Sequence, residues 1–192
     1  MFKIIFTILF TFIVPIPFWL MLFHFVSLKK KSLPSRIITY LSLGLFWAII
    51  GYLCFTNQEF LFKYRFTPNL LFEAIGIVFI LIALVIDYFI IKQLGLTRLI
   101  CLAELKEEKT RDTLVTHGIY KYARHPRYGE YMMFTFGIGL LTGYYSYLAL
   151  SLYLFVGLYL CSFFEEKELV VRFGEAYREY QKKVPRFFMK CP

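Results

Sequence analysis

The sequence predicts an all-α integral membrane fold with about five transmembrane helices. Three observations carry this: an excess of apolar residues, apolar runs of bilayer length, and cations gathered on alternate connections. The 192 residues are 59% hydrophobic and only 18% charged, with a mean hydropathy of +0.60, whereas soluble domains carry about half apolar and a quarter charged residues. With 23 Phe and 15 Tyr, one small core cannot hide the apolar surface, and lipid must cover the remainder. Sparse charge, 11 Gly and 4 Cys exclude disorder, a collagen-like fibre and a disulfide scaffold. Cys54, Cys101, Cys161 and Cys191 contain no CxxC pair, so no metal site and no disulfide is expected.

In order, the first apolar run is Ile4 to Leu28. It is too long for a signal-peptide core, no small-residue cleavage site follows, and it reads as a helix bent near Pro15 and Pro17. Ile37 to Phe55 and Leu70 to Ile91 are the second and third helices, each long enough at about 1.5 Å per residue to cross about 30 Å of hydrocarbon. Gly129 to Thr142 is short, but it meets Tyr144 to Phe164 at Gly143, and the pair reads as a tight helical hairpin. A re-entrant loop is the alternative for the shorter run. Residues 1–91 thus supply three helices and 92–192 a loop, a hairpin and a tail, all in one domain.

Lys and Arg number four from Lys29 to Arg36, eight from Lys92 to Arg127 and seven after Phe164, which is 19 of the 22 in the chain. Only Lys3, Lys63 and Arg65 lie on the opposite connections. The positive-inside rule places the amino terminus outside, with the first loop, the third loop and the tail in the cytoplasm. This accounts for the net charge of +9 through membrane orientation and lipid head groups. No nucleic-acid-binding motif accompanies it.

Two cytoplasmic segments carry the chemistry. The first runs from Thr113 to Glu130 and ends Arg124-His125-Pro126-Arg127-Tyr128-Gly129-Glu130. Pro126 drives His125 out of the α region, so a turn presents Arg124 and His125 directly before a hydrophobic helix. The bland reading is an interfacial belt of rings and cations. The second is Phe163 to Tyr180, in which Leu169, Val170, Phe173, Tyr177 and Tyr180 share one helical stripe. Glu166 falls inside that stripe and Glu165 on its flank, while Lys167, Glu168 and Arg172 point away. Glu168 with Arg172, and Glu179 with Lys183, have the order of solvated surface pairs. A buried Glu166 needs a partner, either Arg124 or a cationic ligand. Asp87, inside the third helix, reads as structural because it lies near the cytoplasmic end. Glu73 and His24 lie at helix ends and receive no role. Gly139 and Gly143 have the spacing of a helix-packing pair, within one chain or between two.

Together these segments resemble the integral-membrane methyltransferases that include isoprenylcysteine carboxyl methyltransferases and phospholipid methyltransferases. The resemblance rests on Leu114-Val115-Thr116, Gly118-Ile119-Tyr120, Arg124-His125-Pro126-x-Tyr128, Glu165-Glu166-x-x-Leu169-x-x-x-Phe173-Gly174-x-x-Tyr177-x-x-Tyr180, and Val184-Pro185. It implies S-adenosyl-L-methionine as cofactor, in a cytoplasmic pocket formed by the third loop and the C-terminal helix, and a lipid or lipidated acceptor entering from the bilayer. It also implies that Thr113, Leu114, Val115, Tyr120, His125, Pro126, Arg127, Tyr128, Glu165 and Glu166 bind the cofactor, with Arg124, His125 and Glu166 serving the reaction. Glu165 aligns with the family's cofactor glutamate, whereas helix phase makes Glu166 the more enclosed; both are retained. A carboxylate acceptor needs no base, whereas an amine must be unprotonated, and His125 or a Glu is then the candidate.

Two departures bear on the acceptor. The isoprenylcysteine enzymes are expected to hold the substrate carboxylate with an Arg one turn before the glutamates, where this chain has Cys161; Arg124 is the candidate substitute. Gly129 directly follows Tyr128, where the usual pattern has one residue between them. Two other readings remain: a sterol-reductase-like oxidoreductase using NADPH, to which Glu130 after Gly129 is similar, and a non-enzymatic lipid-binding membrane protein.

Overall fold

The computed structural model describes residues 2–25, 33–95 and 113–187. Its elements are α1 (Phe2–Ile13), α2 (Ile16–Phe25), α3 (Leu33–Thr56), the single turn α4 (Gln58–Leu61), α5 (Leu70–Leu94), a 3-10 turn (Gly118–Lys121), α6 (Pro126–Thr142), α7 (Tyr145–Phe173) and α8 (Glu175–Lys183). The all-α reading holds across these residues. Lys29, Lys30, Lys31, Cys101, Cys191 and most of the third loop lie outside them.

The expected bend in the first run is a break at Val14-Pro15. Proline removes ladder donors, and polar groups of α7 reach the backbone carbonyls at the break. Tyr153 Oη donates to Val14 O at 3.1 Å and Cys161 Sγ to Pro17 O at 3.2 Å. Inside a bilayer no water can serve this purpose. Higher up, Tyr147 Oη donates to Phe6 O at 2.6 Å, and Tyr147, Leu154, Leu158 and Cys161 are fully buried between α7 and the first two helices.

Three stretches are long and apolar enough to cross a membrane: Lys3–Met21, Leu70–Leu94 and Tyr145–Phe173. The apolar part of α3, Tyr40–Thr56, is shorter, and α6 has 17 residues, about 25 Å of rise. Nevertheless α6 runs antiparallel to α5 and ends beside that helix's start, where Phe66 N donates to Gly143 O at 3.0 Å. Gly76 and Gly137 allow the crossing. A Cβ on Gly76 would lie 2.7 Å from Gly137 O, and one on Gly137 would lie 2.8 Å from Gly76 O. Lipid gives helices little hydrophobic reason to associate, so such small-residue contacts decide which faces meet. The Gly139/Gly143 pair divides its labour: Gly139 faces Leu148 of α7 in the same chain, and Gly143 turns the α6–α7 hairpin at φ +74°.

Outward faces of α3, α5 and α7 are strongly apolar, with Leu41, Leu45, Leu81 and Leu152 exposed. The sequence stripe also packs, but on two helices. Gly174 ends α7, α8 restarts at Glu175, and Tyr177, Tyr180 and Val184 form a small core with Leu114, Leu169, Val170 and Phe173. Lys167 and Glu168 are exposed as expected, whereas Arg172 is half-buried with its guanidinium over the Phe173 ring. Glu179 pairs with Lys182 at 2.6 Å rather than with Lys183.

Candidate active site

The Arg124-His125-Pro126 turn is fixed by the chain's own tail. Pro126 opens α6, leaving His125 at φ −122°, ψ 62°, outside the helical region as the sequence required. Arg124 N donates to Pro185 O and His125 N to Arg186 O, each at 2.9 Å. A two-bond strap thus lays residues 185–186 against the turn. Val184-Pro185, noted in the sequence only as a motif, supplies acceptors that the turn needs.

Glu166 is the centre of a closed ionic knot. Its Oε1 accepts from Arg124 Nε at 2.9 Å, His125 Nε2 at 3.1 Å and Arg186 Nε at 3.2 Å. Its Oε2 accepts from Arg186 Nη2 at 2.8 Å and Gln181 Nε2 at 3.1 Å. Only 5% of its side chain is exposed. Arg124 is equally committed, since its Nη1 also donates to Gln181 O and Val184 O. Helix phase therefore placed Glu166 correctly inside, and its partners are internal. The Arg124 guanidinium is held by Glu166 and by the carbonyls of Gln181 and Val184, and Cys161 faces Pro17 O.

Glu165 differs. Tyr128 Oη donates to its Oε2 at 2.8 Å, and His125 Nδ1 lies 3.2 Å from the same oxygen. It lines a cavity of about 180 Å³ together with Tyr120, Arg124, His125, Pro126, Arg127 and Tyr128. That lining includes five of the residues expected to bind the cofactor besides Glu165 itself, together with Arg124. Thr113, Leu114 and Val115 are not in it, and Leu114 instead packs against Tyr177 and Tyr180. Ile16, Trp19, Leu20, Leu94 and Tyr131 complete the wall and were not visible in the sequence as site residues; the one-turn Arg127–Tyr131 spacing is the signal that could have found the last.

Burial lowers the His125 pKa, but the charge and hydrogen bond of Glu165, followed by those of Glu166, outweigh it, and the net shift is upward. Both ring nitrogens of His125 are thus engaged by carboxylate oxygens, Nδ1 by Glu165 and Nε2 by Glu166. Its ring stacks on Tyr128 at 5.1 Å. Burial, then the nearby Glu165 charge, pushes the Tyr120 phenol upward, keeping it a neutral donor.

Two larger spaces flank the Glu165 cavity. One, about 320 Å³ between α5, α6 and α7, is lined by Ile82, Ile86, Met133, Phe136, Phe155 and Phe187 among others and meets the Glu165 cavity at Pro126. The other, about 450 Å³ and lined from α1, α2, α3 and α6, shares Ile16, Trp19, Arg127 and Tyr131 with it. Among the described residues no cluster of three or more His, Cys, Asp or Glu is placed to hold a metal.

Comparison with known proteins decides what this site belongs to. A family model, described as phospholipid methyltransferase, matches residues 71–176, which contain both the Arg124–Tyr128 turn and the paired glutamates. The chain belongs to the phospholipid methyltransferase family. A curated relative from Schizosaccharomyces pombe, a protein-S-isoprenylcysteine O-methyltransferase, is 42% identical over 73 residues, covering 38% of this chain and 31% of that protein. The chain therefore spans about a third of the relative's length. No solved structure matches the chain. Family membership displaces the sterol-reductase alternative.

Proposed function

We propose that this phospholipid methyltransferase family member transfers a methyl group from S-adenosyl-L-methionine to a lipophilic acceptor drawn from the bilayer. One observation carries the reading: a carboxylate, Glu165, lines a cavity walled by Tyr120, Tyr128, Tyr131, Trp19 and Arg127, which shares Ile16, Trp19, Arg127 and Tyr131 with a larger, mostly apolar space. These groups suit the cofactor's chemistry. A carboxylate accepts from a ribose diol or an ammonium, a guanidinium receives a carboxylate, and aromatic faces attract a sulfonium or stack on adenine.

When bound, S-adenosyl-L-methionine supplies a methyl carbon on cationic sulfur, which the acceptor's lone pair takes as the C–S electrons return to sulfur. The protein's share is alignment and exclusion of water. Glu165 and Tyr128 hold the donor side, assisted by Tyr120 and Arg127. Glu166 and Arg186 lie outside the Glu165 cavity and do not touch ligand in this reading, and Arg124, at its wall, is held by Glu166 and the tail carbonyls. They position the turn, with His125 as the link between the two glutamates. Five helices traverse the bilayer, α6 included, and the end bearing Arg124, Arg127 and Arg186 faces the cytoplasm.

The test is transfer of label from methyl-tritiated S-adenosyl-L-methionine, with total membrane lipid and with a prenylcysteine analogue as acceptors. Label should enter the organic phase with one of them, and Glu165→Gln should cut that at least tenfold. Label in neither fraction overturns the reading.

A further inference from the structure

The turn that carries Tyr120 does not cap itself. Gly118–Lys121 form one short 3-10 turn, and His117 at its start makes no side-chain cap. Such a turn leaves backbone donors and acceptors open at its beginning. Gln93, in the last turn of α5, supplies their partners from 26 residues upstream of Ile119. Its Nε2 donates to His117 O at 2.5 Å and its Oε1 accepts from Ile119 N at 3.2 Å. One carboxamide thus pairs with the backbone on both sides of Gly118, using its donor and its acceptor at once. Gly118 leaves the room for it. A Cβ there would lie 2.8 Å from Gln93 Cδ and 2.9 Å from its Nε2, and the backbone is left-handed at φ +62°, a conformation glycine adopts freely. The far end of the turn is held as well, since Tyr180 Oη donates to Tyr120 O at 2.5 Å.

Packing and hydrogen bonding have separate tasks in this arrangement. Ile119 packs against Ile86, Ile90, Leu94 and Met133, which fixes where the turn sits; apolar burial is non-directional and leaves its rotation open. The carboxamide supplies the direction. The next residue is Tyr120, which lines the Glu165 cavity, whereas Gln93 is not part of that lining. Resting on the methyltransferase reading, we propose that Gln93 is a positioning residue for the methyl donor: by holding His117 O and Ile119 N it aims Tyr120 into the Glu165 cavity without itself touching ligand. Gly118, Ile119 and Tyr120 then act as a unit, giving in turn the room for the carboxamide, the anchor on α5 and the ligand contact.

Calorimetry on the full chain in detergent, with S-adenosyl-L-methionine as the probe, tests this beside thermal denaturation and tryptic cleavage at the exposed Lys121. Gln93→Met keeps the length of the side chain and removes both hydrogen bonds; Gln93→Leu does the same and covers a failure of the first to fold. Either should weaken the donor about fivefold or more, the effect of losing one or two hydrogen bonds. Cleavage at Lys121 should quicken about threefold or more as the turn opens locally, while the melting temperature moves by only a few degrees. Because the effect passes through Tyr120, Gln93→Met should weaken binding by less than about twofold further in a Tyr120→Ala background, and by its full factor in a Glu165→Gln background. Unchanged donor affinity or unchanged cleavage overturns the proposal, as does a full additional loss in the Tyr120→Ala background. A fall of more than about ten degrees in melting temperature in both variants assigns Gln93 to the stability of the whole fold and likewise overturns it. A wild type that binds no S-adenosyl-L-methionine sinks the methyltransferase reading, and faster cleavage in the variants then leaves Gln93's hold on the turn standing.

Discussion

Neighbouring glutamates with different tasks give the sharpest residue-level predictions. Glu166 accepts from Arg124, His125, Gln181 and Arg186, and removing one member of a buried ion pair costs about 3–5 kcal/mol. Glu166→Ala should therefore lower the melting temperature markedly, as thermal denaturation in detergent would show. Glu165→Gln should leave it within a few degrees and remove ligand affinity instead. His125 adds a pH dependence. Its pKa is raised from 6.5 in the folded chain, so its contribution to stability is complete below 6.5 and is lost as pH rises through the raised value. Ligand affinity measured from pH 6 to 9 should fall on the alkaline side, and His125→Gln should flatten that limb. Helix phase made Glu166 legible as the enclosed residue. What encloses it was not legible, because Arg186 and Gln181 arrive on a tail whose return to the turn no local pattern encodes.

At the scale of elements, the α5–α6 crossing carries the site. Gly76 and Gly137 bring the two backbones together, α6 begins at Pro126 beneath His125, and Gln93 near the end of α5 accepts from Ile119 N at 3.2 Å, anchoring the 3-10 turn that presents Tyr120. Gly137→Leu should force the helices apart. The expectation is a loss of about 1–3 kcal/mol of stability, the usual cost of overpacking, with cofactor affinity falling in parallel. Equal melting curves for wild type and variant would mean that the crossing is not tight. Apolar runs and proline positions foretold the helices and the break before Pro15. The Gly174 interruption escaped the periodicity argument, since the stripe from Leu169 to Tyr180 still packs as one core after the chain bends.

Across the whole molecule, polar function collects at one end. Lys3 pairs with Glu59 at 2.7 Å at the opposite end, where the Arg65–Tyr144 bridge also lies. Thr67 and Arg178 lie near opposite ends of the bundle, and cysteines introduced there, with the four native cysteines replaced by Ser, give its sense. In intact cells an impermeant maleimide should label Thr67→Cys and spare Arg178→Cys, and the reverse pattern would invert the orientation. Composition revealed the membrane and the motifs revealed the turn and the glutamates. The amino-terminal contribution, Trp19, was hidden because it exists only through contacts between distant segments. The central claim is that the Arg124–Tyr128 turn and Glu165 enclose a sulfonium nucleotide. Calorimetric titration of the purified chain with S-adenosyl-L-methionine, and separately with NADPH, tests it most directly. Saturable heat with S-adenosyl-L-methionine alone, weakened at least tenfold in Glu165→Gln, is the predicted result. Heat with the dinucleotide only, or with neither ligand, would contradict it.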